Sequence, residues 1–276
     1  MTKIALLGAG GKMGMRLTHN LIPSVYETSY CEISETGIAK LKEYNLLPTD
    51  ASIAIPAADI VILAVPDVIL GKVSQQAIPL MKKGAIVFTL DPAAAQAGLL
   101  YERNDISYFV AHPAHPSVFN WEDNEKAQRD YFGGTLAKQA VVCALMSGPE
   151  TDYVVGESLA KTIYAPVSKA YRITVKQMAL LEPALVETLS STCLAIVREG
   201  LDEIIKRGVP EDAARAFLYG HMNIQLAVLF DQIPGAVFSD AANKAIVRGR
   251  KVLFKEDWKK IFEDDNLDEQ IRDIIS

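Results

Sequence analysis

The sequence predicts an α/β protein, an N-terminal doubly wound and mostly parallel sheet of Rossmann type followed by an all-α C-terminal domain. Three observations carry this. The short apolar run Ile4-Ala5-Leu6-Leu7 stops at a glycine turn, Gly8-Ala9-Gly10-Gly11-Lys12-Met13-Gly14, after which Met13, Leu17 and Leu21 recur at helical spacing. Short apolar strands then alternate with helical stretches up to about residue 150. Beyond that point apolar residues recur every three or four positions. The expected domains are therefore 1–150, a dinucleotide-binding unit, and 151–276, a helical substrate and dimerisation domain.

Strand, glycine turn and helix open a dinucleotide-binding βαβ unit. Glycines there allow a tight turn, a close approach of backbone to a pyrophosphate, and close packing of helix on strand. The helix N-terminus adds unpaired N–H groups that suit phosphates. Gly8, Gly10, Gly11, Lys12, Met13 and Gly14 are thus candidate cofactor residues, and a larger residue at Gly10 is expected to abolish nucleotide binding with the fold largely intact. The spacing departs from Gly-Xaa-Gly-Xaa-Xaa-Gly, because Met13 occupies the last glycine's place and the glycine falls at 14. In this form the turn resembles the 6-phosphogluconate and 3-hydroxyacid dehydrogenase superfamily, and the run also resembles dihydrodipicolinate reductase.

Tyr26 to Ile33 reads as the second strand, ending near Glu32. An acidic residue about 20 positions past the glycine turn accepts bonds from the adenosine ribose hydroxyls, and its charge repels a 2′-phosphate. Glu32 therefore predicts NAD over NADP; the plainer alternative is an exposed strand-end glutamate. Ala58 to Asp67 is nearly all apolar, a strand buried on both faces that Pro66 stops. By resemblance to the same superfamily, Val65-Pro66-Asp67 passes under the nicotinamide ribose. A helix over about 68–82, Gly84 and a strand over 85–90 repeat the unit, which Asp91-Pro92 closes. Further strands are expected over 106–111 and 139–146. Ligands of such sheets bind at the carboxyl ends of the strands, so Gly8, Val65, Asp91 and His112 should face one cleft.

In the second half, Met178, Leu181, Leu185, Leu189, Cys193 and Ile196 mark a long helix within 171–206. Gly208 ends it and Pro183 should kink it. Further helices begin near Pro210-Glu211-Asp212 and Ser239-Asp240, and a short polar one ends the chain. The long helix is apolar on more than one face, which suits the middle of a domain or a homodimer interface.

His112-Pro113-Ala114-His115-Pro116 sets two of the four histidines three apart, beside prolines that fix φ. An imidazole here can take a hydroxyl proton near neutral pH or ligate a divalent metal, although the stretch could also be only a convenient turn. The Ala-His-Pro at 111–113 resembles prephenate dehydrogenase, which implies that His112 assists hydride transfer. Lys176 lies near the start of the long helix. Resemblance to the hydroxyacid dehydrogenases gives it the role of proton shuttle or carbonyl polariser, whereas residue type alone makes it a solvated lysine. Glu182 sits among Leu180, Leu181, Ala184 and Leu185, where a carboxylate needs a cation, a metal or several donors. On a straight helix Lys176 and Glu182 point about 120° apart. His221 is a satisfied core histidine or a further polar wall.

Longer runs carry a more specific resemblance: 111–120 from Ala-His-Pro-Ala-His-Pro, Phe-Gly-Gly at 132–134, Ala-Leu-Met-Ser-Gly-Pro at 144–149, and Val-Lys-Gln-Met-Ala-Leu-Leu-Glu-Pro-Ala-Leu at 175–185. Together they resemble bacterial oxidoreductases with a 6-phosphogluconate-dehydrogenase-like C-terminal domain, a group that includes the D-apionate oxidoisomerases. The resemblance implies NAD-dependent oxidation of a branched sugar acid coupled to migration of a carbon group. A divalent ion could hold the vicinal oxygens, with His112, His115 and Glu182 as the available ligands and His115 and Glu182 as its candidate pair. The paired helix carboxylates with which ketol-acid reductoisomerases bind two magnesium ions are absent. A simple 3-hydroxyacid-type dehydrogenase and a non-catalytic NAD-binding sensor are the alternatives.

Composition narrows the partners. The 276 residues are 50% hydrophobic and 22% charged, enough for two cores. A net charge of −6 without a basic stripe argues against nucleic acid. No unbroken apolar run reaches the roughly 18 residues of a membrane span, and no signal peptide is expected. Cys31, Cys143 and Cys193 form no framework, which fits a reducing cytoplasm.

Overall fold

The computed structural model describes residues 1–276. They form two compact units, Met1–Leu181 with Asp268–Ser276, and Glu182–Leu267. The first unit is built on a seven-stranded sheet in the order β2-β1-β3-β4-β5-β6-β7. Its strands are β1 (Lys3–Leu7), β2 (Glu27–Cys31), β3 (Ile60–Leu63), β4 (Ile86–Thr89), β5 (Ser107–Pro113), β6 (Gln139–Ser147) and β7 (Val167–Arg172). The first five pair in parallel, β6 runs antiparallel to β5, and β7 is parallel to β6.

Strand residues alternate between two cores. Ala5, Leu7, Val61, Leu63, Val87 and Val110 face one side, packed with Ala54, Leu70 and Met178. Ile4, Leu6, Ile60, Ile62, Phe88 and Phe109 face the other, packed with Leu17, Leu41 and Leu159. Each fully buried Leu, Ile, Val or Phe contributes about 1.5–3 kcal/mol. Both faces are covered, which is why the strands read as continuous apolar runs instead of alternating ones. The covering helices are α1 (Lys12–Leu21), α2 (Glu35–Glu43), α3 (Ala51–Ala57), α4 (Asp67–Ala77), the short α5 (Ala93–Gln96) and α6 (Glu125–Gln128), and α7 (Glu150–Ile163). A Cβ at Gly156 of α7 would lie 2.4 Å from the Phe109 ring, so glycine sets how closely α7 meets the sheet.

The chain does not divide near residue 150 as expected. Residues 150–172 add α7 and the seventh strand to the sheet, and the first unit runs to Leu181. β7 escapes sequence reading because it is an edge strand of exposed and half-buried residues with no apolar run.

The helix α8 (Val175–Lys206) is continuous. Pro183 does not break it; Leu180–Ser191 adopts π-helical turns around the proline. Gly208, at φ +98°, ends it as expected. By length and composition α8 could cross a membrane, with an 18-residue window of mean hydropathy 1.5. A search for unbroken apolar runs passes over it, because Glu182 and Glu187 interrupt the sequence.

The second unit continues with helices Glu211–Leu229 and Asp240–Leu253. The first starts after Pro210 with two acidic residues, and the Ser239 hydroxyl caps the second by accepting from the Ala242 N–H at 3.2 Å. Few of this unit's side chains are buried, Ala184, Leu201 and Ala214 among them. Leu194, Phe217, Ile224, Leu229, Val247 and Leu253 are all exposed in the single chain.

Candidate active site

The carboxyl ends of β1 to β5 lie along one edge of the first unit, and the predicted cofactor residues gather there. Gly8, at φ +79°, turns the chain out of β1. Its N–H and that of Ala9 donate to the Cys31 carbonyl at 2.9 and 3.1 Å, locking the turn to the end of β2. A Cβ at Gly8 would lie 2.3 Å from the Ala64 carbonyl oxygen, and one at Gly14 only 1.9 Å from that of Gly8. α1 follows with Gly11 as its N-cap and no side-chain cap, which leaves the N–H groups of Lys12, Met13 and Gly14 for a ligand.

Gly10 differs from its expected role. A Cβ there would lie 2.4 Å from both the Cα and the oxygen of Gly37, so the space is taken by the protein's own backbone. Substitution at Gly10 must therefore disturb the start of α2 and cannot leave this part of the fold intact. Glu32 stands where the sequence places it, immediately after β2, but half-buried. Its Oε2 accepts the Gly10 N–H at 2.9 Å and its Oε1 accepts those of Ile33 and Ser34, each at 2.8 Å. Partial burial alone would raise this carboxyl; the hydrogen bonds from Ser34, Ile33 and Gly10 outweigh it and hold the group below the ordinary carboxylate range.

β3 ends at Leu63, and the Ala64 N–H donates to the Leu7 carbonyl at 2.9 Å, which brings Val65 beside the glycine turn. Pro66 is the N-cap residue of α4 and Asp67 its first residue, an acid where the helix dipole favours one. Beyond β4, Asp91 accepts the Ala93 N–H at 2.7 Å and so starts α5.

β5 runs two residues further than the sequence suggests, so His112 sits inside the strand, level with Val142. Its Nδ1 lies 2.8 Å from the Leu90 carbonyl oxygen. A carbonyl only accepts, so Nδ1 carries a proton and donates it to this bond. Burial lowers the His112 pKa, Asp91 opposes this more weakly, and the ring is neutral at neutral pH. A carboxylate oxygen of Asp91 and a ring nitrogen of His112 lie within 4.8 Å.

His115 holds a left-handed backbone at φ +58°, a region uncommon for residues other than glycine, though asparagine, aspartate and histidine enter it more often than most. Its Nδ1 lies 2.8 Å from the Phe132 carbonyl oxygen, and its ring stands edge-on to His112 with centroids 6.4 Å apart. The Phe132 ring carries the Arg16 guanidinium 3.5 Å from its centroid and the Lys12 ammonium at 5.2 Å. Asp130 ties the same loop together, accepting the N–H groups of Gly133, Leu136 and Ala137 at 3.1, 2.8 and 3.1 Å. Sequence reading does not single out Arg16, Asp130 or Phe132, since only the fold brings this loop back to α1.

Lys176 lies in the first turn of α8, exposed, behind a capping box of Thr174 and Gln177. That turn packs against α5 and β6, close to the Asp91 end of β4. Glu182 is the first residue of the second unit and is half-buried. His221 is no core histidine: it is exposed, stacks on Phe217 at 4.0 Å, and lies with Nδ1 2.8 Å from that residue's carbonyl oxygen.

A nucleotide turn and a neutral imidazole on one sheet edge are the marks of a dinucleotide-dependent oxidoreductase. Comparison with known proteins narrows this. The family described as phosphogluconate dehydrogenase (decarboxylating) C-term matches residues 120–275. The D-apionate oxidoisomerase of Cupriavidus necator is 54% identical over 99% of each chain, and that of Rhizobium rhizogenes 50% identical over 95% of this chain and 96% of its own. A solved Cupriavidus necator structure, a semialdehyde dehydrogenase NAD-binding protein in complex with calcium and NAD, superposes with a TM-score of 0.97 at 53% identity over 99% of each chain. The chain belongs to the D-apionate oxidoisomerase family.

Proposed function

We propose that this chain oxidises D-apionate, a branched sugar acid, using NAD, and couples the oxidation to migration of a carbon group. The observation that carries the mechanism is the contact of His112 Nδ1 with the Leu90 carbonyl, which orients the ring on the edge that holds the nucleotide turn. The substrate C–H leaves as hydride to the nicotinamide while His112 Nε2 takes the hydroxyl proton, so a carbonyl forms. Migration of a neighbouring carbon group to that carbonyl carbon leaves a new alkoxide, while the hydroxyl at the origin of migration becomes the new carbonyl and gives up its proton. Lys176 is the proposed group that polarises the carbonyl. Mixing the protein with NAD and D-apionate should yield NADH, read at about 340 nm, and a product of rearranged skeleton. NADH with an unrearranged skeleton would make the chain a plain 3-hydroxyacid-type dehydrogenase; NAD binding without NADH would make it a sensor.

Glu32 should favour NAD over NADP by at least about tenfold, on the order of 1.4 kcal/mol. Titration with both nucleotides checks this, and equal affinity would remove Glu32 from the ribose site.

A divalent ion fits the donors at hand, carboxylates and imidazole being ligands for hard and borderline ions. His115 and Glu182 are its proposed ligands. Bound there, the ion would polarise the substrate carbonyl and screen its vicinal oxygens.

The exposed apolar side chains of the second unit support an isologous homodimer in the cytoplasm, with α8 set against protein and not lipid. Light scattering at micromolar concentration should give twice the 30.1 kDa chain mass. A monodisperse monomer would overturn the dimer.

A further inference from the structure

We infer that Gly37 is a positioning residue for the dinucleotide, acting through Glu32. This rests on the proposed NAD-dependent activity and deepens it. Gly37 is the third residue of α2, and its N–H donates to the Ser34 hydroxyl at 3.1 Å. Glycine is among the poorest formers of a helix interior, and no left-handed backbone requires it here, since Gly37 is not among the positive-φ glycines. The space beside it does. A Cβ at 37 would lie 2.5 Å from Glu32 Cδ and 2.7 Å from both Cγ and Oε2. That Oε2 is the oxygen that accepts the Gly10 N–H, and the missing Cβ of Gly10 is what admits the Gly37 backbone. Gly10, Glu32 and Gly37 therefore interlock, and the seat of one carboxylate depends on the absence of a side chain at 37.

A carboxylate offers about four lone-pair positions. Three are occupied by the N–H groups of Gly10, Ile33 and Ser34, and the Ser34 hydroxyl also bonds to the group, so the carboxylate is pinned in the orientation it presents to a ribose hydroxyl. A side chain at 37 displaces the carboxylate from this seat. It thereby weakens both the ribose bond and the repulsion of a 2′-phosphate, while helix propensity improves.

The test is a double-mutant cycle on the full-length chain, with NAD and NADP affinities measured by calorimetry and KM and kcat by turnover. Gly37→Ala should weaken NAD by about tenfold or more, shrink the NAD/NADP ratio, and raise KM for NAD far more than it lowers kcat. Against Glu32→Ala, the same substitution should change NAD affinity by less than about twofold and should raise Tm. An NAD affinity unaltered by Gly37→Ala overturns the inference, as does an equal loss in the Glu32→Ala background. Should Gly37→Ala alone be too unstable to titrate, adding Glu32→Ala must restore its Tm; failure to do so counts against the coupling. A wild-type chain that binds neither nucleotide overturns the NAD reading and this inference with it, whereas intact NAD turnover with an inert Gly37→Ala overturns this inference alone.

Discussion

Replacing His112 with Asn should lower kcat by about 10²–10⁴, the usual cost of losing a general base, with NAD affinity nearly unchanged. Asn can still donate to the Leu90 carbonyl that now holds Nδ1, but it has no lone pair of comparable basicity where Nε2 stood. The nucleotide turn is untouched by the change. The pH profile supplies a second reading. The base works in its neutral form, and burial lowers the His112 pKa from the ordinary 6.5. Wild-type activity should therefore persist below the ordinary imidazole range and fall only as pH drops through the lowered value. The Asn variant should lack that acidic limb. Near-normal turnover of the variant from about pH 6 to 9 would make the His-Pro turn structural and Lys176 the leading base.

Gly14→Ala should be the most damaging single methyl in the chain. The added carbon would lie 1.9 Å from the Gly8 oxygen and 2.8 Å from the carbonyl carbons of Gly8 and Ala9. All three are backbone atoms that cannot swing aside, and the same Gly8 oxygen accepts the Gly11 N–H. α1 must lift off the turn, so overpacking should cost about 1–3 kcal/mol of stability. NAD binding should weaken by about a hundredfold or more, on the order of 2.7 kcal/mol. Gly200→Ala, a helical site with nothing within 4 Å, is the control. It should bind NAD normally and gain about 0.5–1 kcal/mol. Thermal melts with nucleotide titrations separate the two, and normal NAD affinity in Gly14→Ala would refute the assignment of this turn.

The parts of the fold that sequence reading found are those governed by local rules. Apolar runs marked β1 and β3 to β6, the spacing of Met13, Leu17 and Leu21 marked α1, and distance from the glycine turn singled out Glu32. What it missed depends on contacts between distant segments. An apolar run carries no direction, so the antiparallel β6 read like its parallel neighbours. β7, polar and on the sheet edge, had no period to detect, and the division of the chain moved with it to Leu181. Asp91 and His112 were expected to face one cleft, and the parallel pairing of β4 with β5 sets their ligand atoms within 4.8 Å, a distance no sequence pattern gives. The Phe132 ring over α1 closes a loop that neither composition nor spacing announces.

The left-handed backbone at His115 places that residue under two opposed selections. An L side chain in this conformation costs roughly 1–3 kcal/mol, which glycine would recover. A lineage selected for stability alone would drift toward glycine here and lose the imidazole in a single step. Histidine can persist at this position only while its ring contributes more to fitness than the strain removes.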